Sequence, residues 1–237
     1  MKNKKIVITG GSEGLGKLLA QKLTAQGAEV IILSKNKNKL VGTAKEIGCD
    51  YIVCDIRDWQ NCQDACNQIK EKYGDIDILI NNAGIWTDDG LEFKNPLLAK
   101  DAIETNLLGA IYMTNCFLPR FRELNRGTIF FTNSVSGRFP IVDPQARTYS
   151  ASKWGLRGYS ESLKEYLKDT KIKIIQLYPC GFDTNLFETS GWDKSTAHNQ
   201  PWMTSAENIA NAAVFALSAP IDINISSVVI EKSGASF

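Results

Sequence analysis

A chain of 237 residues with 43% hydrophobic and 22% charged side chains has the balance of one globular domain, which excludes fibrous and intrinsically disordered classes. A formal net charge of +1 gives no electrostatic case for nucleic acid or an anionic membrane surface as partner. Six cysteines with no C-x-x-C pair, and a single histidine (His198) remote from Cys62 and Cys66, match no metal-ligand spacing, so reduced thiols and no metal are expected. The apolar run in "MKNKKIVITGG" is too short for a signal peptide or a membrane span, and a cytoplasmic protein is expected.

In chain order, β-rich runs alternate with helical ones. A strand over 5–9 ("KIVIT") leads into a helix over 14–26, and a strand over 29–34 into a helix over 37–47. Strands at 50–54 and 77–81 flank a helix at 59–73; one long helix is expected over 97–125. Then follow a strand at 128–133, a helix at 148–168, a strand at 173–178, a helix at 205–218 and a last strand at 227–231. Thr204 and Glu207 have the Thr-x-x-Glu capping-box spacing at the start of the 205–218 helix. Most strand runs are continuously apolar, as in strands covered on both faces. The pattern predicts an α/β fold: a doubly wound, Rossmann-like parallel sheet of seven strands with helices on both faces, in one domain over 1–237. The irregular stretch 182–204 breaks the alternation and is expected to form a substrate lid.

Ligands in such folds bind beyond the carboxyl ends of the strands. The first strand runs into "TGGSEGLG" (9–16), where Gly10, Gly14 and Gly16 allow a tight turn and a close backbone approach to a pyrophosphate at a helix N-terminus. Ser12, Glu13 and Leu15 share that turn. Beyond the second strand lie Ser34 and Lys35, with no acid to hold a ribose 2′-hydroxyl. A lysine there suits a 2′-phosphate, and Lys37 and Lys39 add positive potential; Glu13 opposes it. NADP is therefore favoured, with NAD as the alternative. Tyr149 and Lys153, in "YSASK", lie four apart and share a helix face. A free phenol has a pKa of about 10, which a neighbouring cation lowers.

Together "TGGSEGLG" (9–16), "CDIRD" (54–58), "NNAG" (81–84), "TNLLG" (105–109), "SVSG" (134–137) and "YSASK" (149–153) resemble, in order and spacing, the motifs of the short-chain dehydrogenase/reductase family, in its compact single-domain branch. The resemblance covers nearly the whole chain. It implies an oxidoreductase that moves a hydride between a nicotinamide cofactor and a carbonyl or secondary alcohol. Tyr149 would be the acid in reduction and the base in oxidation, Lys153 would tune the phenol and bind the nicotinamide ribose, and Asn106 would help hold a water behind the lysine. Asp55 and Ile56 would contact the adenine; Asn82, Ala83 and Gly84 would pass close to the ribose or ring. Pro179, Gly181 and Thr184 would flank the nicotinamide, with Cys180 standing where the family has glycine.

The family's serine lies 13 residues before the tyrosine by count, which is Ser136; alignment on the strand "GTIFFTN" gives Ser134 instead. Ser134 is preferred, because "GRFPIVDPQAR" (137–147) can absorb two extra residues, and Ser136 stays the alternative. Either hydroxyl would hydrogen-bond the substrate oxygen. Ile85, Trp86, Phe139, Phe182, Leu186, Phe187, Trp192 and Trp202 would wall a small or medium apolar substrate, and Asp88, Asp89, Asp183 and Glu188 speak against an acidic one. The 97–125 and 148–168 helices are the family's pairing faces, so a homodimer or homotetramer is expected. Two other readings stand: a catalytically silent dinucleotide sensor on the same fold, and an epimerase or dehydratase, which 237 residues leave without its usual extra substrate domain.

Overall fold

The chain's most apolar runs pair into one sheet. The computed structural model describes residues 1–89, 96–139, 146–188, 192, 193, 195 and 198–234. The elements in order are β1 (Lys5–Thr9), α1 (Gly14–Ala25), β2 (Glu29–Ser34), α2 (Lys37–Ile47), β3 (Asp50–Val53), α3 (Trp59–Tyr73) and β4 (Ile78–Asn81). They continue with α4 (Pro96–Ile103), α5 (Gly109–Leu124), β5 (Gly127–Thr132), α6 (Arg147–Tyr166), β6 (Ile172–Pro179), α7 (Ala206–Leu217) and β7 (Ser227–Ile230). The sheet has seven strands in the order β3-β2-β1-β4-β5-β6-β7, every pairing parallel. Strand order reverses between β1 and β4, so the carboxyl ends of those two strands open the crevice where such sheets bind ligands.

Successive side chains on a strand point to opposite faces, so each strand feeds two cores. Val7, Ile31, Leu79 and Ile129 join α3, α5 and α6 on one side. Ile6, Ile8, Ile32, Ile80 and Phe130 join α1, α2 and α7 on the other. Burial on both faces is why these strands read as unbroken apolar runs. In the helices expected to pair between subunits, Met113, Phe117, Leu156 and Leu163 go into the first core, while Trp154 stays exposed.

Two local features differ from the sequence reading. The single helix over 97–125 is interrupted by a π turn at Glu104–Leu108, which carries Asn106. Such a turn has no signature in hydrophobic period. Contacts across it hold it: Asn106 bonds to a loop and to α6, and a Cβ on Gly109 would lie 2.5 Å from Ile56 Cδ1. The cap of α7 is Ser205, whose Oγ accepts from Asn208 N–H at 3.2 Å, rather than Thr204 in a capping box. Thr204 instead accepts from the Asn208 side chain and bridges to Phe182. The loop expected over 137–147 falls outside the described residues at 140–145.

Candidate active site

The chain leaves β1 through Gly10, whose φ of +66° and whose contact with Ala83 (a Cβ would sit 2.7 Å from Ala83 Cα) only glycine satisfies. α2, α3 and α7 begin with side-chain caps from Asn36, Asp58 and Ser205, but α1 does not: Glu13 at its N-cap makes no capping bond. Gly14 and Leu15 at that helix start line a cleft of about 580 Å³ at the carboxyl ends of the strands. A helix start of this kind attracts anions. Gly10, Ser12, Glu13, Gly14 and Leu15 line the cleft, whereas Gly16 does not. Gly16 lies beneath the turn, where a Cβ would fall 2.2 Å from the Gly10 carbonyl oxygen; its glycine serves packing.

At the end of β2 the Ser34 hydroxyl accepts from Ser12 Oγ at 3.0 Å, and Lys35 reaches the cleft wall. Glu13, the acid that opposes a 2′-phosphate, is paired with Lys39 at 2.8 Å. Next to it, Cys54, Asp55 and Ile56 form the wall after β3. Arg57 clamps the Asp55 carboxylate through Nε (3.0 Å) and Nη2 (2.7 Å), reaches Asp101 on α4 with Nη1 (2.8 Å), and so holds the Asp55 carboxyl below its ordinary range. After β4, Asn82 Nδ2 donates to the Thr9 and Gly10 carbonyls while its Oδ1 accepts from Thr132 Oγ1, which locks the floor of the cleft to the glycine turn. Ala83 and Gly84 continue that floor; a Cβ on Gly84 would lie 3.2 Å from Asn106 Oδ1 and 3.8 Å from Lys153 Nζ.

Ser134 stands at the end of β5 as the N-cap of a short 3-10 turn (Val135–Gly137), and its Oγ accepts from Ser136 N–H at 3.1 Å. Asn133 Oδ1 accepts from the Ser134 N–H at 2.9 Å and so fixes the serine's backbone. Tyr149 and Lys153, one turn apart on α6, are both buried, with the ammonium 5.6 Å from the ring centre. Loss of water pushes the Tyr149 phenol up to about 12, against a lowering hydrogen bond from Ser134. Burial also brings the Lys153 ammonium down to about 8. Desolvation dominates at the phenol, and Lys153 Nζ is turned to the Thr132 carbonyl at 2.9 Å. Both serines line the cleft, and Ser134 is the more buried of the two and the one that lowers the Tyr149 phenol. Asn106 lies off the cleft wall: Oδ1 accepts from Ile85 N–H (2.8 Å), and Nδ2 donates to Ile85 O and Ser152 Oγ (3.0 Å each).

Pro179, Cys180, Gly181 and Thr184 line the side of the cleft nearest β6. The displaced glycine has a physical reason: a Cβ on Gly181 would lie 2.0 Å from Trp202 Cζ3. The Cys180 thiol is buried and pushed up by that burial. Beyond it Trp86, Phe187, Trp192, Trp202 and Met203 pack with Tyr149 into an apolar cluster, with Trp86 and Tyr149 ring centres 4.6 Å apart. The acids expected at this mouth have partners. Trp192 Nε1 donates to Asp88 Oδ2 at 3.1 Å, and His198 bridges Asp183 (through Nδ1) and Glu188 (through Nε2, 2.6 Å). Phe139 is exposed and stands apart from the cluster. Among the described residues no group of three or more His, Cys, Asp or Glu could hold a metal, and no helix is long and apolar enough to cross a membrane.

The sequence profile of the short chain dehydrogenase family matches residues 4–194. The chain belongs to that family. Among relatives of this short-chain dehydrogenase is an oxidoreductase of Staphylococcus saprophyticus, 27% identical and spanning 97% of both chains. A 3-ketodihydrosphingosine reductase of Bacteroides thetaiotaomicron is 32% identical over 84% of this chain and 72% of its own. An alcohol dehydrogenase of the archaeon Thermococcus sibiricus, complexed with 5-hydroxy-NADP, has the same fold, with a TM-score of 0.87 at 22% identity over 99% of each chain. A metagenomic short-chain oxidoreductase in complex with NADP gives 0.81 at 25% identity, covering 97% of this chain and 96% of that one. Sequence reading missed Thr132, Asn133, Ser152 and Thr87, whose work is to hold other residues; a single polar residue in a strand, loop or helix carries no signal for that.

Proposed function

We propose that this short-chain dehydrogenase is an NADP-dependent carbonyl reductase, running as an alcohol dehydrogenase in reverse. The observation that carries this reading is the buried Ser134–Tyr149–Lys153 set at the floor of a cleft that begins at the uncapped start of α1. The chain fits the cofactor at each part of that cleft. Gly10, Ser12, Gly14 and Leu15 would cradle the pyrophosphate on the α1 N–H groups, with Gly16 shaping the turn from behind. Ser34 and Lys35 would take the 2′-phosphate, since the Lys39 ion pair occupies Glu13. Asp55 and Ile56 would flank the adenine, Asn82, Ala83, Gly84 and Lys153 the nicotinamide ribose, and Pro179, Gly181 and Thr184 the ring. The NADP complex of the metagenomic relative supports NADP as the cofactor.

When bound, the cofactor supplies the hydride. The Tyr149 phenol, held protonated by burial, gives its proton to the substrate oxygen in reduction. Ser134 Oγ donates to that oxygen and stabilises its developing charge. Lys153 supplies positive charge behind the phenol, and Asn106 keeps α6 and the 85–89 segment in register. The aromatic cluster suits a small or medium apolar ketone, with the described part of 182–204 as its lid; 189–191, 194, 196 and 197 lie outside the described residues. The ketone-reductase names of relatives agree with a carbonyl substrate. Pairing of copies into a homodimer or homotetramer would cover exposed Leu97, Trp154 and Tyr166. The test is NADPH consumption against a panel of ketones. Wild type turns over, while Tyr149→Phe loses turnover and keeps its NADPH affinity within a few-fold. A fully active Tyr149→Phe removes the tyrosine from the mechanism, and NADPH binding without turnover favours the sensor.

A further inference from the structure

The helix that carries Tyr149 and Lys153 starts without a cap of its own. Ala146 stands at its N-cap and offers no side-chain acceptor. A helix start leaves N–H groups with no intrahelical partner, and here two of them are met by a distant segment. Thr148 N–H donates to Asp89 Oδ2 at 2.6 Å, and Tyr149 N–H donates to Thr87 Oγ1 at 3.1 Å. Thr87 is fully buried and Asp89 is 6% exposed, so neither bond is open to competition from bulk water. The same segment holds the helix twice more. The Trp86 ring packs on that of Tyr149, and Ile85 exchanges two hydrogen bonds with Asn106, which also bonds Ser152 on α6.

Position along the helix makes these bonds matter. Tyr149 lies in the first turn, where a helix is held least by its own ladder, and Lys153 lies one full turn further in. Ser134, at the end of β5, is fixed to the sheet. Placement of the phenol against that serine therefore depends on whatever holds the first turn. An aspartate at a helix N-terminus also meets the positive end of the helix dipole.

We propose that Thr87 and Asp89 are positioning residues for the reaction: by accepting the Tyr149 and Thr148 N–H groups they set the first turn of α6 and place the Tyr149 hydroxyl against Ser134. The proposal rests on Tyr149 being the acid/base of the proposed function. Asp89, which the sequence suggested as a charge at the substrate mouth, thereby acts through the backbone of the helix.

The test compares Asp89→Ala, Asp89→Asn and Thr87→Val with wild type in the full chain, at a temperature where circular dichroism shows each folded. Asp89→Ala lowers kcat by about 10- to 100-fold, while KM for the ketone and Kd for NADPH move by no more than about threefold. Asp89→Asn keeps an acceptor oxygen and recovers most of kcat. Thr87→Val falls in the same direction as Asp89→Ala and serves if that variant does not fold. Amide hydrogen exchange at Thr148 and Tyr149, which needs no turnover, quickens in Asp89→Ala and Thr87→Val. Wild-type kcat with unchanged exchange in these two variants overturns the proposal, as does an Asp89→Asn as impaired as Asp89→Ala. If wild type turns over no ketone, the proposed function fails, and the exchange rates alone decide whether the brace exists.

Discussion

At Tyr149, loss of water outweighs the lowering by Ser134 and favours the neutral phenol, the form that the proposed reduction needs as its acid. Lys153 shifts the opposite way, from 10.5 to about 8, for the same reason. A lysine whose folded pKa is depressed adds stability that is present above its unfolded value and lost as pH falls through the folded one. Below pH 8 the buried ammonium therefore costs the fold about 3 kcal/mol, and stability rises between pH 8 and 10.5. Lys153→Met should be more stable than wild type at pH 7 in urea titrations, and inactive; a variant equally or less stable contradicts the burial cost. At the serines, Ser134→Ala should lose turnover while Ser136→Ala keeps most of it. Loss confined to Ser136→Ala would place the substrate oxygen on the other hydroxyl.

Among the elements, the glycine turn and the 182–204 segment carry the sharpest expectations. Gly10→Ala forces a side chain into a φ of +66° and against Ala83 Cα, so calorimetry should find NADPH binding lost in a chain that still folds. Undiminished binding would remove the turn from the site. In the 182–204 segment, His198 lies between Asp183 and Glu188, whose carboxylates raise its pKa above 6.5. A raised pKa means stabilisation that is complete below the unfolded value and lost as pH rises through the folded one. NMR titration of this sole histidine should give a midpoint above 6.5, with faster exchange of the Asp183–Thr204 backbone bond at higher pH. A midpoint at or below 6.5 would show that the two carboxylates do not hold the imidazolium. The strands and the glycine turn were legible because burial on two faces and left-handed turns leave direct marks on residue type. The π turn at Asn106, the switch from Thr204 to Ser205 as cap and the remote capping of α6 were not, since each is settled by contacts between residues far apart in sequence.

In the whole molecule, the parallel sheet brings the segments that follow β1, β2, β3, β4, β5 and β6, with Tyr149 and Lys153 of α6, to one cleft, and the motif order along the chain was enough to foresee that convergence. The ionisation of its centre was not foreseeable, because a pKa depends on how much water the finished fold excludes. On the outer face of α6, Trp154 is 43% exposed, and Trp154→Glu should shift sedimentation toward smaller species if copies pair there. An unchanged sedimentation coefficient would move the interface elsewhere. The central claim is that Tyr149 protonates a carbonyl to which the cofactor delivers hydride. The most direct measurement is mass spectrometry of the alcohol formed from a ketone with NADPH carrying deuterium at both C4 positions of the nicotinamide ring, for wild type and Tyr149→Phe. Wild type should yield alcohol carrying one deuterium on the former carbonyl carbon, and Tyr149→Phe should yield essentially none. Deuterium-free alcohol, or equal yields from the two proteins, would contradict the account.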